Sequence, residues 1–174
     1  MSFKLQQFIA KCQAASEGQA AQDKVQALIC EAMAQPEALS DALADYSKFA
    51  KLDDLIFHRT KTLTLLAARL PPGFVAGPHN HNLWSVVGVY GGQEDNIFYE
   101  RDSDKLKEVG RALVVAPGVL CNAKEVIHGI SNPLDVDLLA LHAYGGDLLT
   151  TPRSTWDPET HHEIPFDWRT VVGD

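Results

Sequence analysis

Long apolar runs, paired cysteines and an excess of positive charge are all missing from this 174-residue chain. No stretch approaches the roughly 20 apolar residues that span a bilayer. The opening MSFKLQQFIAKCQ is polar and amphipathic, unlike a secretory leader, so the expected home is the cytoplasm, with no membrane partner. Cys12, Cys30 and Cys121 are odd in number, widely spaced and without a CxxC pair, which leaves out a disulfide framework and a zinc-thiolate site. Lys and Arg total 15 against 23 Asp and Glu, a net charge of −8. Phosphate binding needs clustered cations, so nucleic acid is excluded as a partner. What the chain does have is apolar material, 45% of its residues, enough to bury the core of one domain over 1–174.

Two textures divide that domain. Leu5, Phe8, Ile9 and Cys12 recur at i, i+3, i+4 and i+7, and Val25, Leu28, Ile29 and Ala32 repeat the pattern after Gly18, so helices are expected up to about residue 46. Pro36 suits an early position in a third. From Leu55 the chain breaks into short apolar or alternating runs: 63–70, 84–91, 95–102, 111–116, 125–131 and 136–144. Turn residues separate them, among them Pro71-Pro72-Gly73, Gly91-Gly92 and Pro117-Gly118. The expected architecture is all-β over 55–145, with an N-terminal helical extension over 1–46 and a tail over 146–174 packed on the barrel. Glu94 and Asp95 read as hairpin caps, and the alternating charges of 100–108 as a solvated hairpin.

Chemistry concentrates at Pro78-His79-Asn80-His81. On a strand the i, i+2 spacing sends both imidazoles to one face, about 6.6 Å apart along the backbone. The setting extends the pair, because Gly73, His79, His81, Ser85 and Gly92 fall at the intervals of the first cupin motif, G-x5-H-x-H-x3,4-E-x6-G. His128 and Asn132 match the H-x3-N that ends the second. The sequence thus resembles the cupin superfamily, which implies a double-stranded β-helix, or jelly-roll barrel, with His79, His81 and His128 as metal ligands. It departs from the pattern at the motif-one glutamate, whose place falls on Ser85 or Val86, so the implied ligand set is neutral. Such a set leaves the full charge of a divalent ion to be met by an anionic ligand.

Within that superfamily 78–94, 126–133 and 141–147 resemble the thiol dioxygenases, the cysteine and 3-mercaptopropionate enzymes. The resemblance implies Fe(II), although Ni, Zn, Mn or Co can occupy such a site in a purified sample. It implies O2 and a small thiol as reactants, a sulfinate as product, and allows a homodimer. The family's Ser-x-His-x-Tyr run falls on Ala140, His142 and Tyr144, giving His142 and Tyr144 catalytic roles beside the metal and losing the serine. Where animal cysteine dioxygenases carry a crosslinking cysteine this chain has Val86. Arg59 and Arg153 are the candidates to hold a substrate carboxylate, since a guanidinium fork pairs with one. Trp84 is a candidate pocket wall or a core residue. A three-histidine cupin acting on an O-donor substrate such as a diketone, and a non-catalytic metal- or small-molecule-binding cupin, are the competing expectations.

Overall fold

The computed structural model describes residues 2–46, 52–103 and 105–167. Three helices open the chain, α1 (Leu5–Ser16), α2 (Ala21–Met33) and α3 (Pro36–Leu43), followed by the single turn α4 (Leu52–Leu55). Eleven strands follow: β1 (Ile56–Arg59), β2 (Thr64–Leu70), β3 (Val75–Asn80), β4 (Ser85–Gly91), β5 (Gln93–Asp102), β6 (Lys105–Val115), β7 (Gly118–Asn122), β8 (Ile127–Ser131), β9 (Leu138–Tyr144), β10 (Ser154–Trp156) and β11 (Glu163–Pro165). They form two antiparallel sheets, β1-β2-β9-β4-β7 and β11-β10-β3-β8-β5-β6, the face-to-face layers of a jelly roll.

The first sheet is covered on both sides, which is why its central strands are apolar at nearly every position rather than alternating. Leu65, Ala67, Val86, Tyr90, Leu141 and Ala143 face outward and pack with Val25, Ile29 and Met33 of α2. Leu66, Ala68, Leu70, Val87, Val89, Leu138 and Ala140 face the barrel interior. Burying an Ile or Leu fully is worth roughly 1.5–3 kcal/mol, so this helical layer is a major part of the core. Gly88 sets how near α2 can lie: a Cβ there would come within 2.6 Å of the Ile29 side chain. Among the described residues no helix covers the second sheet, and β6 on its edge leaves Val109, Leu113 and Val115 exposed.

Within the tail, β10 and β11 form a hairpin that extends the second sheet through pairing of Thr155 with His79. Residues 168–174 of that tail lie outside the described residues. One expectation needs correction, because Glu94 does not cap a hairpin. It lies inside β5, wholly buried, because Glu94, Asn96 and Phe98 alternate onto the barrel face of the strand. The structure also adds β1 and β7, which the apolar runs did not announce.

Candidate metal centre

His79 near the end of β3 and His128 on β8 stand directly opposite one another in the register of the second sheet. His81 follows β3 by one residue and turns back to the same face. The ring centroids are 5.1 Å apart for His79 and His81, 4.7 Å for His79 and His128, and 5.0 Å for His81 and His128. One nitrogen from each lies within 4.8 Å of the others, a group that can hold a metal ion. Phe98, paired with His128 across the sheet, stacks on its ring at 6.4 Å.

Hydrogen bonding sorts the nitrogens. His79 Nδ1–H donates to the Gly77 carbonyl at 2.9 Å, and His128 Nδ1–H donates to Asn96 Oδ1 at 2.8 Å. Both Nε2 atoms then carry lone pairs, and that of His128 is buried without a partner. Three buried imidazoles presenting lone pairs to one another suit a divalent cation, the usual arrangement in which each ligand's second nitrogen is held by a neighbour. Burial also keeps them neutral. Desolvation brings His79 down to about 4, and it lowers His81 and His128 well below the usual 6.5, helped by the charges of the neighbouring histidines.

Across the barrel β9 supplies the other wall. His142 and Tyr144 share its inner face, with His142 Nδ1 3.1 Å from the Tyr144 hydroxyl, and the Tyr144 ring lies 4.8 Å from that of His81. Burial pushes the phenol up, so it stays protonated. The residue facing Tyr144 from β4 is Ser85; Val86 is paired with Ala143 and turns toward the helices. Ser85 therefore occupies the inward position where the motif expects a carboxylate, and its hydroxyl receives a bond from Asn122 Nδ2 at 3.4 Å.

The two arginines part company. Arg59 is half exposed and forked onto Asp147, with bonds of 2.7 and 2.9 Å. Arg153 is partly buried beside the histidines; its charge adds to the lowering of His79 and His81 and partly offsets the rise that burial causes at Tyr144. Among the described residues no carboxylate pairs with it; the Phe166 ring lies 4.1 Å from its guanidinium carbon and 5.8 Å from the His79 ring. Asn80, between His79 and His81, faces the other way and accepts from the Ser154 amide at 2.8 Å, while Asn82 Nδ2 donates to the Pro152 carbonyl. These bonds fix the backbone on either side of Arg153. Nothing in the sequence pattern pointed to Asn80, Asn82 or Phe166. Trp84 packs against the helical cluster and fills the space that a side chain at Gly145 would need, so it is core. Asn132 is also structural, its Nδ2 donating to the carbonyls of Leu70, Pro71 and Val136.

No protein-family model and no curated protein matches the sequence. Solved structures do match. BH2720 from Bacillus halodurans, 14% identical, superposes with a TM-score of 0.51 over 73% of this chain and 83% of its own. A cupin 2 conserved barrel domain protein from Salinispora arenicola, 15% identical, gives 0.42 over 52% and 71%. The fold is a jelly-roll barrel of two antiparallel sheets. Oxalate oxidase with the substrate analogue glycolate gives 0.42 at 15% identity over 49% of this chain, which spans only 42% of that enzyme's length. At such identities the likeness extends to architecture alone, and chemistry has to be argued from the side chains.

Proposed function

We propose that this chain is a non-haem Fe(II) thiol dioxygenase-like enzyme, adding both atoms of O2 to the sulfur of a small anionic thiol, such as cysteine or 3-mercaptopropionate, to give the sulfinate. The observation that carries this reading is the donor set: three buried neutral imidazoles without a carboxylate, faced by the phenol of Tyr144 and the cation of Arg153. His79, His81 and His128 would hold Fe(II), which would supply the Lewis acidity that lowers a thiol's pKa and the redox chemistry needed for reaction with O2.

The chain's own residues have separate tasks. Arg153 receives the substrate carboxylate, a charge-assisted pair worth about 1.5–3 kcal/mol, and so aims the sulfur at the histidines. Phe166 stacks on one side of that guanidinium, 4.1 Å from its carbon, and shields that side. When His142 Nδ1–H donates to the phenol oxygen, the Tyr144 hydroxyl is free to donate toward the space beside His81.

The test is anaerobic iron loading followed by O2 uptake with cysteine, 3-mercaptopropionate and cysteamine. Uptake should match sulfinate one to one, and His128→Ala should retain under about a tenth of the metal. A thiolate-to-metal charge-transfer band in the cobalt form should accompany binding; its absence favours an O-donor substrate. No thiol-dependent uptake with any of the three removes the proposal.

A further inference from the structure

The donor set of the candidate centre lacks a carboxylate, yet one lies buried in the same barrel. Among the described residues Glu94 is the sole acidic side chain that is fully buried. It lies on the inner face of β5 two residues from Asn96, and Asn96 Nδ2 donates to its Oε1 at 3.0 Å. Asn96 Oδ1 in turn accepts from His128 Nδ1 at 2.8 Å. The other carboxylate oxygen, Oε2, has no partner. No packing need explains this arrangement, because an unpaired carboxyl oxygen in a β-barrel costs roughly 1–3 kcal/mol that an apolar residue would avoid.

The order of donors and acceptors along the chain is forced from its far end. A carboxylate has no proton to give, so Asn96 must turn its NH2 toward Glu94 and its carbonyl toward His128. His128 Nδ1 must then carry the proton, which leaves the Nε2 lone pair for the centre. Burial raises Glu94 to about 7, and a proton taken up there would sit on the unpartnered Oε2, leaving Oε1 an acceptor and the order unchanged. Without the carboxylate, the Asn96 amide can turn over and offer its NH2 to Nδ1, which selects the opposite tautomer, with a proton on the nitrogen that should bind metal.

We propose that Glu94 is a positioning residue for the centre: acting through Asn96, it fixes His128 in the tautomer whose Nε2 faces His79 and His81, and places a compensating negative charge two hydrogen bonds from the cation. The inference rests on the reading that the three histidines hold a metal, although the ordering of His128 is a property of the metal-free chain.

Histidine ring tautomers in 15N-labelled, metal-free protein, read from long-range proton–nitrogen correlations, test it together with competitive titration of Co(II) or Fe(II). Wild-type His128 should be protonated at Nδ1. Glu94→Leu should populate both tautomers and weaken metal binding about tenfold to a hundredfold, with the other rings of the centre unchanged. Glu94→Gln, which keeps an acceptor for Asn96 but not the charge, should hold the wild-type tautomer with a smaller loss. Should the leucine variant fail to fold, Glu94→Met, close to the carboxylate in length, takes its place. A wild-type His128 protonated at Nε2 overturns the proposal before any variant is made. A folded Leu or Met variant with unaltered tautomer and affinity does so as well. Wild-type protein with the expected tautomer but no metal affinity sinks the metal reading alone and leaves the ordering of His128 by Glu94 standing.

Discussion

Ser85 stands across β4 and β9 from Tyr144, where the motif leads one to expect an acid, and that single exchange makes the ligand set neutral. The work left to Tyr144 is then donation rather than charge. Tyr144→Phe should leave metal content and thiol affinity close to wild type while turnover falls tenfold or more, about 1.4 kcal/mol of barrier; equal turnover would remove the hydroxyl from the chemistry. That His79, His81 and His128 come together, and that His142 and Tyr144 share a strand face, was readable in the sequence because spacing along one or two strands fixes the direction of each side chain. Glu94 and Asn96 were not. They follow Gly91-Gly92, so their polarity reads as turn chemistry, and only the register of β5 against β8 shows that they point inward. Arg59 and Arg153 were equal candidates for a similar reason: the bond from Arg59 to Asp147 spans 88 positions of sequence.

Among the elements, the hairpin of β10 and β11 contributes most to the site beyond the histidine-bearing strands. The Phe166 amide donates to the Arg153 carbonyl at 2.9 Å, which sets the aromatic ring and the guanidinium side by side. Phe166→Ala should raise KM for carboxylate-bearing thiols about threefold to tenfold, the cation–π contribution of roughly 0.5–1 kcal/mol plus lost shielding. Cysteamine, which has no carboxylate, should be little affected, and an equal change for both kinds of thiol would assign Phe166 a general packing role. The helices α1 to α3 and the longer strands were legible from periodicity. The two three-residue strands were not, because Ser154–Trp156 and Glu163–Pro165 are too short to show alternation and exist through pairing, β10 with β3 and β11 with β10.

For the whole molecule, four imidazoles kept neutral inside one barrel make acid the natural route to instability. His79 and His142 are held at about 4 by burial, and His81 and His128 are lowered in the same direction. As pH falls below 6.5 the unfolded chain takes up protons that the folded one refuses. Each such group removes up to about 1.4 kcal/mol of stability per pH unit until its folded value is reached. Glu94 acts in the opposite sense: its carboxyl is raised to about 7, so it favours the fold below the usual 4.5 and loses that contribution as pH rises to 7. Four groups outweigh one. The denaturant midpoint of the metal-free protein should therefore drop steadily between about pH 6.5 and pH 4; a midpoint that holds level there would contradict the buried, neutral state of the cluster.

The helical layer behind β9 and β4 has a mechanical consequence. With side chains packed on both faces, the strand that carries His142 and Tyr144 has no room to yield when a ligand arrives. The opposite wall is held differently: Arg153 and Phe166 flank a short hairpin joined to β3 at one register pair and by bonds to Asn80, Asn82 and the Pro78 carbonyl. One side of the cavity is clamped by apolar layers and the other is stitched by hydrogen bonds, so polar substitutions around Asn80 and Asn82 reshape the second wall and leave the first in place.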